Sequence, residues 1–133
     1  MSIDLWITAI TPGIALALMI YFYDRFDREP FMLILKLFLF GIFVSIPVLF
    51  VEMLLSLGNI FPGMLGIAYT AFIVAGLTEE FFKRWVVLRI GFKHSAFNEK
   101  LDGIVYAVMT SLGFATLENV MYVVFSNSDT PYI

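Results

Sequence analysis

Glu79 and Glu80 stand side by side at the end of an apolar run, with Lys83 and Arg84 one helical turn further on. Spacing i,i+4 puts Glu79 and Lys83 on one face of a helix, where the ammonium can balance an ionised carboxylate, and Glu80 can reach Arg84 in the same way. A third carboxylate, Glu118, follows fifteen uncharged residues. Phe114 shares its helical face, and Asn119 adds an amide able to donate a hydrogen bond nearby. Carboxylates with separated affinities for a proton are a common arrangement for acid/base work on water. The chemistry these residue types suggest is hydrolysis.

Depth is what makes these groups worth attention. An ionisable side chain inside a membrane span costs roughly 2.5–3.5 kcal/mol on insertion scales, so a position far from an interface asks for a reason. If the helix bearing Glu79 continues through Trp85 to Lys93, Glu79 lies about 14 residues, or roughly 21 Å, above the cytoplasmic face. With a helix starting at Asp102, Glu118 lies about 16 residues, or roughly 24 Å, above the same face. The two carboxylates are therefore expected to meet in the outer half of the bilayer. A plainer reading stands beside this one: Glu79 to Arg84 is the charged end of a shorter helix lying in the interface, with Trp85 as its anchor. Glu52, about 33 Å along a helix beginning at Pro30, falls at the outer interface and is given no role. His94 is read as a surface residue of a polar loop, Asp102 as the N-cap of the last helix, and Gly41, Gly66, Gly76 and Gly113 as close packing between helices.

The elements that position these groups follow from composition. Of 133 residues, 61% are hydrophobic and 14% charged, against about 45–50% and about 25% in soluble domains. Lipid must cover the excess. A core about 30 Å thick needs about 20 mostly apolar residues per helix, and four such stretches are expected at about 5–23, 31–57, 64–92 and 103–125. Together they make a single all-α membrane domain over residues 1–133. All eight Lys and Arg gather at two junctions: Arg25, Arg28 and Lys36 follow the first stretch, and Lys83, Arg84, Arg89, Lys93 and Lys100 precede the fourth. Positive charge near membrane segments stays on the cytoplasmic side, so the N-terminus and the tail after Phe125 are expected outside. The first stretch has Asp4 and no Lys or Arg before it, so it reads as a retained helix and not a cleaved leader. A net charge of −3 offers no basic field for nucleic acid, and the absence of cysteine excludes a disulfide framework.

Three strings bring a family into view. EExxK at Glu79 to Lys83, Asp102-Gly103-Ile104-Val105-Tyr106, and Phe114-Ala115-Thr116-Leu117-Glu118-Asn119, in this order and spacing, closely resemble the PrsW family of bacterial intramembrane proteases. This family lies within the superfamily of CAAX prenyl endopeptidases and bacteriocin-processing enzymes. The likeness extends to Tyr21-Phe22-Tyr23 and to Glu29-Pro30.

The resemblance implies a cell-membrane hydrolase of stress signalling that makes the first, extracytoplasmic-side cut in a membrane-spanning anti-sigma factor, leading to release of the sigma factor. It assigns Glu79 as general base, Glu80 and Lys83 as its support, and Glu118 as the second acid/base group. It also admits a divalent metal such as zinc, with Glu79 and Glu118 as candidate ligands. Family members carry further helices with histidines in an HxxxD-like motif, whereas no histidine follows His94 in this sequence. Little hydrolysis is therefore expected of these 133 residues alone. The alternative is a non-catalytic membrane scaffold that binds partner helices through its buried charges; a transporter has less support, since no inverted repeat surrounds broken helices.

Overall fold

The computed structural model describes residues 3–23 and 28–126. Four helices are long and apolar enough to cross a membrane: α1 (Ile3–Tyr23), α2 (Phe31–Ser56), α3 (Gly63–Gly91) and α4 (Lys100–Ser126). The charged string Asp24 to Asp27, which supplies part of the positive-charge argument, lies outside the described residues, as does the tail from Asn127.

Each boundary has a local cause. Pro30 cannot continue a preceding helix, but its carbonyl accepts from Leu33 N (2.9 Å) and Ile34 N (3.2 Å) and opens α2. At the other end of α2 the turn closes on α3: Asn59 Nδ2 donates to Gly66 O (2.9 Å) and to Thr70 Oγ1 (3.1 Å). Gly63 takes φ +58°, a conformation suited to a residue without Cβ, and starts α3. Between α3 and α4 the rings of Phe92 and Phe97 stack at 4.4 Å. Asp102 is not an N-cap. It lies inside the first turn of α4 and reaches back, its Oδ2 accepting from Glu99 N (2.8 Å) and Asn98 N (2.9 Å), as the third helical residue does in a capping box.

α4 is the hub, packing against α1, α2 and α3, and its broadest contact is with α2. That contact is made by small residues. A Cβ on Gly41 would collide with the carbonyl of Thr110, and one on Gly113 with the carbonyl of Phe38, so the two backbones touch directly. Buried Ser45 and Thr110 continue the same seam. This is how helices associate in lipid, where apolar side chains gain little by leaving hydrocarbon for a protein interface. Gly13 against Thr116 and Gly91 against Tyr106 bring α1 and α3 equally close to α4. Gly66 and Gly76 do not serve helix packing: the nearest atoms to a Cβ there belong to Phe61 and Ala71 of their own strand of chain.

Around the small-residue seam sit Leu37, Val44, Val48, Val86, Met109 and Phe114. Bulky apolar groups such as Phe43, Phe50, Leu54, Phe72 and Phe81 face outward. An apolar exterior around a core containing polar residues suits a hydrocarbon solvent.

Candidate active site

α3 is not uniformly α-helical. Thr70–Leu77 is wound as a π-helix, and α-helix resumes at Thr78–Val86. The wide turns show in the Thr78 hydroxyl, which donates to the carbonyl five residues back, Ile73 O, at 3.3 Å. Such windings inside helices recur at functional sites, and this one delivers Glu79 and Glu80 immediately after it. α3 then continues to Gly91, so Glu79 is 12 residues from its C-terminal end, roughly 18 Å along the helix. Glu79 to Arg84 therefore lie within a continuous helix and not at the end of a shorter one.

Lys83 organises the acidic pair. Its Nζ lies 2.9 Å from Glu79 Oε2 and 3.2 Å from Glu80 Oε1. Glu80 therefore turns to Lys83 and not to Arg84. The two carboxylates differ in setting: the Glu79 side chain is 22% exposed and the Glu80 side chain 75%. The ammonium also stands 4.4 Å from the centroid of the Phe114 ring, a cation–π contact that ties α3 to α4. Phe114 is buried, and one turn above it Glu118 is half-buried, within electrostatic reach of Glu79 and Lys83. Asn119 lies on an exposed part of α4.

Glu52 joins this group. Arc length along α2 put it at the outer interface, yet in the fold it lies within electrostatic reach of Glu79, Glu118 and Lys83. Distance along a helix equals depth only if the helix stands upright, and membrane helices tilt by about 20° on average. Side chains also lean toward the N-terminus of their helix. Glu52 thus leans inward along the ascending α2, while Glu79 leans outward along the descending α3.

An open cleft of about 310 Å³ borders the site. Glu80, Lys83 and Arg84 line it from α3, and Gly103, Ala107 and Ser111 from α4. It opens onto Lys83 and Glu80 between two helices, while Glu79 and Glu118 lie outside its lining. A larger groove of about 650 Å³ runs along α1 alone, is almost entirely apolar and holds no group suited to hydrolysis.

The residues described do not by themselves fit a metal centre. No three of their His, Asp or Glu side chains converge closely enough to hold an ion, and the cation already at Glu79 is the Lys83 ammonium. His94 is exposed in the loop after α3, its Nδ1 accepting from Ala96 N at 3.1 Å.

A second polar group went unnoticed in the sequence. Tyr106 Oη donates to Glu29 Oε2 at 2.6 Å, with Glu29 5% exposed and Tyr106 fully buried. Glu29 also interacts with Asp102. These residues pin the start of α4 to the segment before α2 and hold in place the helix that carries Glu118. The signal available was a carboxylate beside a helix-starting proline, with a tyrosine four residues after Asp102.

Comparison with known proteins agrees with the three strings. The profile of the PrsW family intramembrane metalloprotease matches residues 29–132. The chain is 42% identical over 128 residues to "Protease PrsW" of Clostridioides difficile (strain 630), covering 96% of this chain and 53% of that protein. It is 39% identical over 121 residues to the protein of the same name from Geobacillus kaustophilus (strain HTA426), covering 91% and 52%. For that of Bacillus subtilis (strain 168) the identity is 39% over 116 residues, covering 86% and 51%. The chain thus spans about half the length of these relatives. No solved structure matches.

Proposed function

We propose that this chain, which belongs to the PrsW family of intramembrane metalloproteases, carries the paired-glutamate part of an endopeptidase that hydrolyses a peptide bond inside the bilayer. In this reading Glu79 is the general base. It takes a proton from water as the oxygen attacks the scissile carbonyl, and Lys83, 2.9 Å away, stands as its counter-ion. Glu118, protonated at the outset, passes its proton to the leaving amine as the C–N bond breaks, and the proton held by Glu79 returns to Glu118 before the next turnover. Glu80 shares Lys83 and faces the cleft through which substrate and water arrive. Electrostatic effects among these groups are strong because the surroundings have a low dielectric. The family description names a metal; the described residues fit no complete ligand set, and no step here depends on one.

The observation that carries the reading is Glu79 paired with Lys83 and lying within the electrostatic field of Glu118, well inside a span that a soluble surface would not explain. The proposed substrate is a membrane-spanning anti-sigma factor, cut toward its extracytoplasmic side, since the carboxylates stand above the cytoplasmic junctions. The scaffold alternative is disfavoured, because the relatives are named as proteases.

The test uses this chain joined to the histidine-bearing helices that the family resemblance implies, reconstituted in lipid vesicles with a single-span anti-sigma factor, the products sized by immunoblot. Glu79→Gln and Glu118→Gln are expected to lower cleavage by at least ~100-fold, the low end for a lost acid/base group, while elution on gel filtration is unchanged. Undiminished cleavage by both variants would refute the assigned roles.

A further inference from the structure

Glu52 presents a buried carboxylate oxygen that nothing in the fold satisfies. Its Oε1 is closed off from the surface and has no hydrogen-bond partner among the described residues. An acceptor left unmade in this way costs about 1–3 kcal/mol. α2 packs directly on the Thr78–Val86 segment of α3, and Glu52 sits in the same field as Glu79, Glu118 and Lys83. Lys83, the cation of this group, is already committed to Glu79 and Glu80. The other two members of the group are carboxylates. The donor that would complete Glu52 therefore comes from outside the described residues, and at a site that hydrolyses peptides the small donor at hand is water.

We propose that Glu52 is a positioning residue that holds a water molecule on the α2 side of the Glu79–Glu118 pair. The proposal rests on the protease reading given above. Water bonded to a buried acceptor stays oriented while Glu79 draws on it, and this supplies from α2 a third point of support that α3 and α4 lack. Orientation of this kind affects the chemical step and not the affinity for substrate, and small misplacements cost on the order of 100-fold in rate.

The experiment uses the reconstituted protein and the anti-sigma factor substrate, with Glu52→Leu, Glu52→Gln and Glu79→Gln compared with the unaltered protein. Leucine fills the space but accepts no hydrogen bond; glutamine keeps an acceptor oxygen in place. Glu52→Leu is expected to lower kcat about 100-fold with KM unchanged, Glu52→Gln to restore most of the rate, and the melting temperature of Glu52→Leu in detergent to equal or exceed that of the parent. A structural role would instead lower the melting temperature of Glu52→Leu, and that result overturns the proposal. Full activity of Glu52→Leu beside inactive Glu79→Gln overturns it too, while leaving the protease reading standing. No cleavage by the unaltered protein, or undiminished cleavage by Glu79→Gln, removes that reading and this proposal together.

Discussion

At the level of single residues, polar contacts in this bundle hold because few competing partners exist in hydrocarbon. The 2.6 Å hydrogen bond from Tyr106 Oη to Glu29 Oε2 joins positions 77 apart in the chain. Tyr106→Phe keeps the ring in its fully buried slot and deletes only the donor. A loss of about 1.5–3 kcal/mol is expected, the range for a hydrogen bond to a charged group, read as a lower unfolding midpoint in detergent. An unchanged midpoint would show that this link does not hold the start of α4. Lys83 acts differently, since it serves Glu79, Glu80 and the Phe114 ring together.

At the level of helices, the α2/α4 crossing sets how the site is assembled. Glu52 and Glu118 ride on these two helices, and their spacing follows from how closely the backbones approach at Gly41 and Gly113. Replacing either glycine adds a methyl where a carbonyl already stands. Gly113→Ala is expected to cost about 1–3 kcal/mol through overpacking and to lower cleavage as well, because the crossing must open before the methyl fits. Calorimetry and the vesicle assay on one preparation check both. Loss of stability with full activity would mean that the site tolerates a shifted α4. The π-helical Thr70–Leu77 adds a second constraint at this scale, since the turn it widens fixes which way Glu79 and Glu80 face.

At the level of the whole molecule, charge distribution and fold agree on a multi-pass membrane protein, its bulky apolar side chains outward and the carboxylates of Glu29 and Asp102 withdrawn from the surface. The expected orientation follows from Lys and Arg gathered after the first span and before the fourth. The sequence contains no cysteine, so single cysteines report on it without background. Ile60→Cys, in the exposed turn between α2 and α3, is expected to react with a membrane-impermeant maleimide on intact cells. Ser95→Cys, in the loop between α3 and α4, is expected to react only after permeabilisation. The reverse pattern would place the carboxylates in the cytoplasmic half and move the expected cut with them.

The sequence by itself determined the all-helical membrane class, the apolar spans and the family, because each rests on a one-dimensional property. A bilayer selects runs of apolar residues by length, and EExxK is a local string whose i,i+4 geometry any helix reproduces; the Glu79–Lys83 contact could be read without a fold. Only the tertiary structure decided that Glu52 comes within electrostatic reach of Glu79 and Glu118, that Asp102 reaches back into its loop, that Tyr106 meets Glu29, and that Gly13 and Gly91 pack between helices where Gly66 and Gly76 do not. Hydropathy and spacing give the rise along each helix and the faces it presents. They leave open its tilt and its rotation against its neighbours, which are set by backbone approach at a few small residues far apart in the chain.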